Sequence, residues 1–121
     1  DNLQTPFLDA GLVDLVAADH EVCDEVRLTP SHGHTPGHVS IIISSAGEEA
    51  LIAGDFLHHP CQMARPDWCS SADVDRVAAV ETRRRMFERY AGIPTLIIGT
   101  HFSGATAGRL IRDGEAYLLA V

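Results

Sequence analysis

The strongest pattern along the chain is the β-branched run Val39-Ser40-Ile41-Ile42-Ile43, which predicts a strand. Ser44 to Glu48 is polar around a central glycine and predicts a hairpin turn, with Ala50-Leu51-Ile52-Ala53 as the returning strand, closed by Gly54-Asp55. An unbroken apolar run of this kind suits a strand buried on both faces. Thr95-Leu96-Ile97-Ile98 has the same character and ends at Gly99-Thr100-His101. Between these strands, residues 73–90 place Val74, Val77, Ala78, Glu81, Arg84, Arg85 and Glu88 at helical spacing, with Ser71 or Asp73 as the cap and Gly92-Ile93-Pro94 as the stop. Residues 56–72, interrupted by Pro60 and Pro66, read as a long loop of the kind that serves a site. Upstream, residues 6–18 suggest a short helix or irregular segment, His20 to Pro30 an extended stretch, and Ser31 to Gly37 a turn-rich loop. At the end, residues 109–112 and 116–120 form a hairpin around Asp113-Gly114. Strands, one long helix and strands again describe an α/β or α+β layered chain.

Composition narrows the class. The chain has 121 residues, enough for one domain at most, and is 45% hydrophobic and 21% charged, as ordinary globular proteins are. A net charge of −8 argues against a nucleic-acid backbone or an anionic membrane surface as partner. Arg83-Arg84-Arg85 with Arg89 falls on the helical pattern and reads as a partly solvated helix face. The three cysteines have no CxxC partner and suit a reducing compartment. With no signal peptide or apolar span of ~20 residues in view, the cytoplasm is the expected location. The chain starts at Asp1 rather than Met and reads as a processed or excised piece.

Seven histidines are many for this length, and three polar groups stand where strands begin or end: His34, Asp55 and His101. Neighbouring strands end along a common edge, so these groups can converge although far apart in sequence. Two imidazoles and a carboxylate would suit zinc, iron or manganese. Taken singly, each has a plainer explanation, a surface histidine in a Gly/Pro loop or an aspartate that forms a turn. Spacing alone leaves both open.

The stretch Gly33-His34-Thr35-Pro36-Gly37-His38 resembles the GHTPGH signature of the metallo-β-lactamase superfamily, and the strand–hairpin–strand to Gly54-Asp55 and the strand ending at His101 follow in that family's order. The resemblance implies half of an αββα sandwich, with residues 1–121 forming the C-terminal portion of one domain. By the same resemblance, His34 would bind a first metal, Asp55 would bridge two and act in catalysis, and His101 would bind the second. The cofactor would be two Zn2+ ions in the complete protein, with Fe or Mn as alternatives, activating a water for hydrolysis. His38 would lie in a second shell, and His58 and His59 would line the pocket. Gly54-Asp55 with His58, Gln62, Arg65-Pro66, Asp73, Asp75 and Thr82-Arg83 is similar to the lactonase-like and methyl-parathion-hydrolase-like branch. That branch implies a small-molecule lactone, ester or phosphotriester as substrate.

One departure matters. The family's HxHxDH run is missing: His32-Gly33-His34 has its first spacing, but Pro36 stands where the motif requires Asp. Two protein ligands per ion are too few for a tight zinc site. A half sandwich would also expose the inner face of its sheet. The chain is therefore expected to pair with a missing N-terminal half or with itself as a homodimer. The alternative is a catalytically inactive half-domain serving as a binding or assembly module. A nuclease branch is disfavoured by the acidic balance, whereas an iron-using redox or persulfide branch shares the ligand types.

Overall fold

The computed structural model describes residues 4–121. A short helix α1 (Thr5–Asp9) leads into an exposed, irregular segment. Residues 20–30 are not one extended stretch but a tight hairpin, β1 (Glu21–Cys23) and β2 (Val26–Pro30), with a register shift in β1 between Glu21 and Cys23. β3 (Val39–Ser45) and β4 (Glu48–Ile52) turn at Ala46-Gly47, whose φ angles of 52° and 82° are the left-handed pair that a two-residue hairpin requires. The expected loop over residues 56–72 is partly ordered, by a 3-10 turn at Gly54–Phe56 and the short helix α2 (Cys61–Ala64). Helix α3 (Arg76–Tyr90) begins later than the pattern predicts, because its cap is Asp75, whose carboxylate accepts the Ala78 amide at 3.0 Å. β5 (Leu96–Ile98), β6 (Ala107–Asp113) and β7 (Ala116–Ala120) complete the chain.

All strands among the described residues join one seven-stranded sheet in the order β1-β2-β3-β4-β5-β6-β7. The β4–β5 pair is parallel and the others are antiparallel, so the connection through α3 is the single crossover. The strand register sorts the residues onto two faces. Ile42, Leu51, Ile97, Leu110 and Tyr117 point to one side, where Met86, Phe87 and Tyr90 of α3 pack with Phe56, Leu57 and Met63 into a single core. The other side carries Leu28, Ile41, Ile43, Ile52 and Ile98, all only half-buried, and Leu96, Ile111 and Leu118, each 38% exposed. β4 is thus covered on one face, not on both as its apolar run suggests. No helix among the described residues is long and apolar enough to cross a membrane.

Candidate metal centre

The loop after β2 is held down by α3. Gly33 takes φ +133°, and a Cβ there would meet the Ala79 backbone nitrogen at 2.3 Å, so a side chain would separate loop and helix. The Gly33 and His34 carbonyls accept the Asp75 and Val74 amides, each at 3.0 Å, and the Thr82 hydroxyl donates to the His32 carbonyl at 2.7 Å. These bonds hold His34 at the sheet edge, where β4 ends in Gly54-Asp55 and β5 in the segment leading to His101.

There the three residues meet. Asp55 Oδ1 lies 2.5 Å from His101 Nε2, and Asp55 Oδ2 lies 3.6 Å from His34 Nε2, so each carboxylate oxygen faces one imidazole. His58 stacks on His101 with ring centroids 5.3 Å apart and lies 5.2 Å from the His34 ring. Ligand atoms of Asp55, His58 and His101 lie within 4.8 Å of one another, as do those of His34, His58 and Asp73. His59 is exposed, and its Nδ1 accepts the Cys61 amide at 3.1 Å. The structure thus gathers His34, Asp55, His101 and His58 and leaves His59 outside the cluster.

His38 sits behind it. Its Nε2 accepts the Asp55 amide at 2.8 Å, while Nδ1 lies 3.0 Å from the Ser31 carbonyl and 2.8 Å from its hydroxyl. Ser31 continues to Ser40 at 2.8 Å, and Ser40 donates to the Ala53 carbonyl at 2.9 Å, closing a buried relay that fixes both sides of Gly54. Gly54 itself, at φ +62°, leaves 2.8 Å between a would-be Cβ and His38 Nε2, so glycine is required for the imidazole to reach the amide. Burial lowers the pKa of His38, keeping the ring neutral with one nitrogen donating and the other accepting. Burial also lowers the pKa of His58, helped by the neighbouring imidazoles His34 and His101. For Asp55, burial pushes upward, but the His101 hydrogen bond and the surrounding histidines outweigh it and the carboxylate titrates low. The neutral rings of His38 and His58 therefore flank an ionised Asp55 carboxylate, the kind of donor that divalent cations need.

A sequence profile described as the metallo-beta-lactamase superfamily matches residues 4–101. The chain belongs to that superfamily. Among solved structures, it is similar to the superfamily hydrolase AbOPH, with 26% identity and a TM-score of 0.85 over 98% of this chain and 41% of the other. AidC, a dizinc quorum-quenching lactonase in complex with a product, shares the fold at 20% identity and a TM-score of 0.82, over 91% of this chain and 38% of AidC. An N-acyl homoserine lactone hydrolase, with N-hexanoyl-L-homoserine at its catalytic metal centre, is 25% identical with a TM-score of 0.54, over 63% of this chain and 30% of that one. This member of the superfamily spans about two-fifths of the length of the first two. No curated protein matches it. A further structural neighbour is described as a probable metal-dependent hydrolase, sharing the fold at 22% identity and a TM-score of 0.73.

Several residues that sequence spacing does not bring to the site contribute to it. Asp73 reaches His34 across the loop, Thr82 and Arg83 brace the loops from α3, and Ser31 and Ser40 anchor His38. Asp73 and Thr82-Arg83 stand out in the sequence only through the branch resemblance. The serines give no signal, because a serine within or beside a strand is unremarkable until its partner is known.

Proposed function

We propose that this chain is the C-terminal portion of a single metal-dependent hydrolase domain of the lactonase-like and methyl-parathion-hydrolase-like branch, acting on a lactone, ester or phosphotriester bond of a small molecule. The observation that carries the reading is the Asp55 carboxylate, which presents one oxygen toward His34 and the other toward His101. That is the arrangement a bridging carboxylate needs, and imidazole with carboxylate suits zinc, with iron or manganese served by the same donors. Divalent cations held there would lower the pKa of a water and polarise the scissile carbonyl or phosphoryl oxygen. The protein's part is to hold Asp55 by its amide through His38, to fix His34 against α3, and to line one wall with the uncharged His58 ring. In this reading the remaining ligands come from an N-terminal portion carrying HxHxDH, which would also cover the open face of the sheet. The greater length of the matched hydrolases supports this.

The test is hydrolysis by the complete gene product, assayed with bound metal against an acyl homoserine lactone, an aryl ester and a phosphotriester. Substituting Asp55→Ala should abolish turnover with whichever substrate is used, and retained activity in that variant would sink the reading. The apolar open face favours a second reading, a non-catalytic module that docks a partner or a second copy. Inactivity of the complete product, together with a stable dimer or complex formed through that face, would select it.

A further inference from the structure

Beneath His34 lies a second carboxylate with no solvent exposure, and its surroundings give it a definite task. Asp73 Oδ1 lies 3.1 Å from His34 Nδ1, and Oδ2 accepts the Ser70 amide at 2.9 Å with Arg83 Nη1 3.7 Å away. Arg83 is itself fully buried and held on three sides, by the Phe56 carbonyl at 3.2 Å, the Pro66 carbonyl at 2.9 Å and Cys69 Sγ at 3.2 Å. The carboxylate thus cannot swing, and the side of His34 that faces it must carry the proton. We infer that Asp73, clamped by Arg83, is a positioning residue that locks His34 in the Nδ1–H tautomer and turns the Nε2 lone pair toward Asp55 and a cation.

The inference rests on the proposed role of His34 as a ligand and assigns the group that prepares it. A histidine ligand commonly donates its second nitrogen to a carboxylate, which fixes the ring and raises its basicity. The distances also permit Asp73, His34 and His58 to hold an ion themselves. Against that, both Asp73 oxygens already face donors, and an ion there would have to take His34 through Nδ1 and displace that bond. The open side of His34 is the Nε2 side, 3.6 Å from Asp55.

Long-range 1H–15N NMR of the metal-free complete gene product reads the tautomer directly, before and after adding Zn2+. His34 should show Nδ1 protonated and Nε2 bare, and Zn2+ should shift Nε2. Asp73→Ala should lose that tautomer preference and weaken Zn2+ binding, measured by chelator competition, about 10–100-fold. Asp73→Asn, which keeps an acceptor without the charge, should restore the tautomer and part of the affinity. An Nε2–H tautomer in the native chain would overturn the inference whether or not any variant folds. So would a Zn2+ shift at Nδ1, or an Asp73→Ala variant with the tautomer intact. If the tautomer is as stated and Zn2+ moves neither nitrogen, the metal role of His34 fails while the Asp73 lock is seen to stand, so the two failures are told apart.

Discussion

Replacing Arg83 by Met tests how the loops around the candidate centre are held. The side chain is buried with 0% exposure and ties three segments to α3 through the Phe56 and Pro66 carbonyls and the Cys69 sulfur, beside Asp73 at 3.7 Å. Methionine fills much of the volume but supplies no donor. The buried Phe56 carbonyl and the partly buried Pro66 carbonyl then lose a charged partner, at up to about 1–3 kcal/mol each, and Asp73 loses its only nearby cation among the described residues. Removing one member of a buried pair costs about 3–5 kcal/mol, and the apolar gain of methionine offsets only part of the rest. A loss of about 4 kcal/mol is therefore expected, which at an m-value of roughly 2 kcal/mol per molar urea lowers the unfolding midpoint by about 2 M. Urea unfolding followed by Trp68 fluorescence and by circular dichroism measures it. Arg83→Lys should recover little, because an ammonium cannot span three acceptors set for a planar fork. A midpoint change below about 0.5 M for the methionine variant would show that the guanidinium network contributes little net stability and would refute the reasoning.

Other perturbations test separate parts of the structure. Gly33→Ala combines an unfavourable φ of +133° with a backbone clash, so it should cost about 2–4 kcal/mol and release the His34 loop; unchanged amide exchange at Val74 and Asp75 would contradict this. Leu51→Ala on the covered face should cost about 2–5 kcal/mol, whereas Ile111→Ala on the open face should cost less than about 1 kcal/mol, and equal losses in thermal melts would mean that the faces are misassigned. Burial raises the pKa of the Tyr90 phenol above its ordinary 10.0, so the fold favours the neutral form. The stabilisation this gives is complete below that value and is lost as pH rises through the higher folded one. Tyr90→Phe should remove that alkaline decline and, because the hydroxyl has no hydrogen-bond partner among the described residues, leave stability at neutral pH unchanged or slightly higher. A persistent decline in the variant would assign it to another group.

The parts of the fold legible in the sequence are those governed by local rules. Val39–Ser45, the Ala46-Gly47 turn and the β6–β7 hairpin follow from β-branching and left-handed turn residues, although the last turns at Gly114-Glu115, one residue beyond the expected Asp113-Gly114. The β1–β2 hairpin is not legible because it turns at Asp24-Glu25 without a glycine. The helix start is misplaced by the sequence for a physical reason: Asp73 could cap, but it is committed to His34 and the Ser70 amide, and the cap passes to Asp75. The meeting of His34, Asp55 and His101 is suggested by their positions at strand ends. The bracing by Asp73, Thr82 and Arg83 depends on contacts between distant segments and is beyond any spacing rule.

The order of the sheet has a consequence for how the chain reaches this structure. Every pairing but one joins strands that are consecutive and closely spaced, so β1–β4 and β5–β7 can each assemble as local meanders on a microsecond scale. The exception is the parallel register of Leu51 with Ile97, which must close a loop containing α2 and α3. Entropy opposes that closure until α3 lies across both meanders, so the kinetic barrier should be concentrated there. Trimming Ile97 or Phe87 should then slow folding, while trimming Val26 at the far edge should chiefly hasten unfolding. Since the cluster is built from the ends of β4 and β5 and the loop pinned by α3, its geometry would be completed only in that last, rate-limiting step.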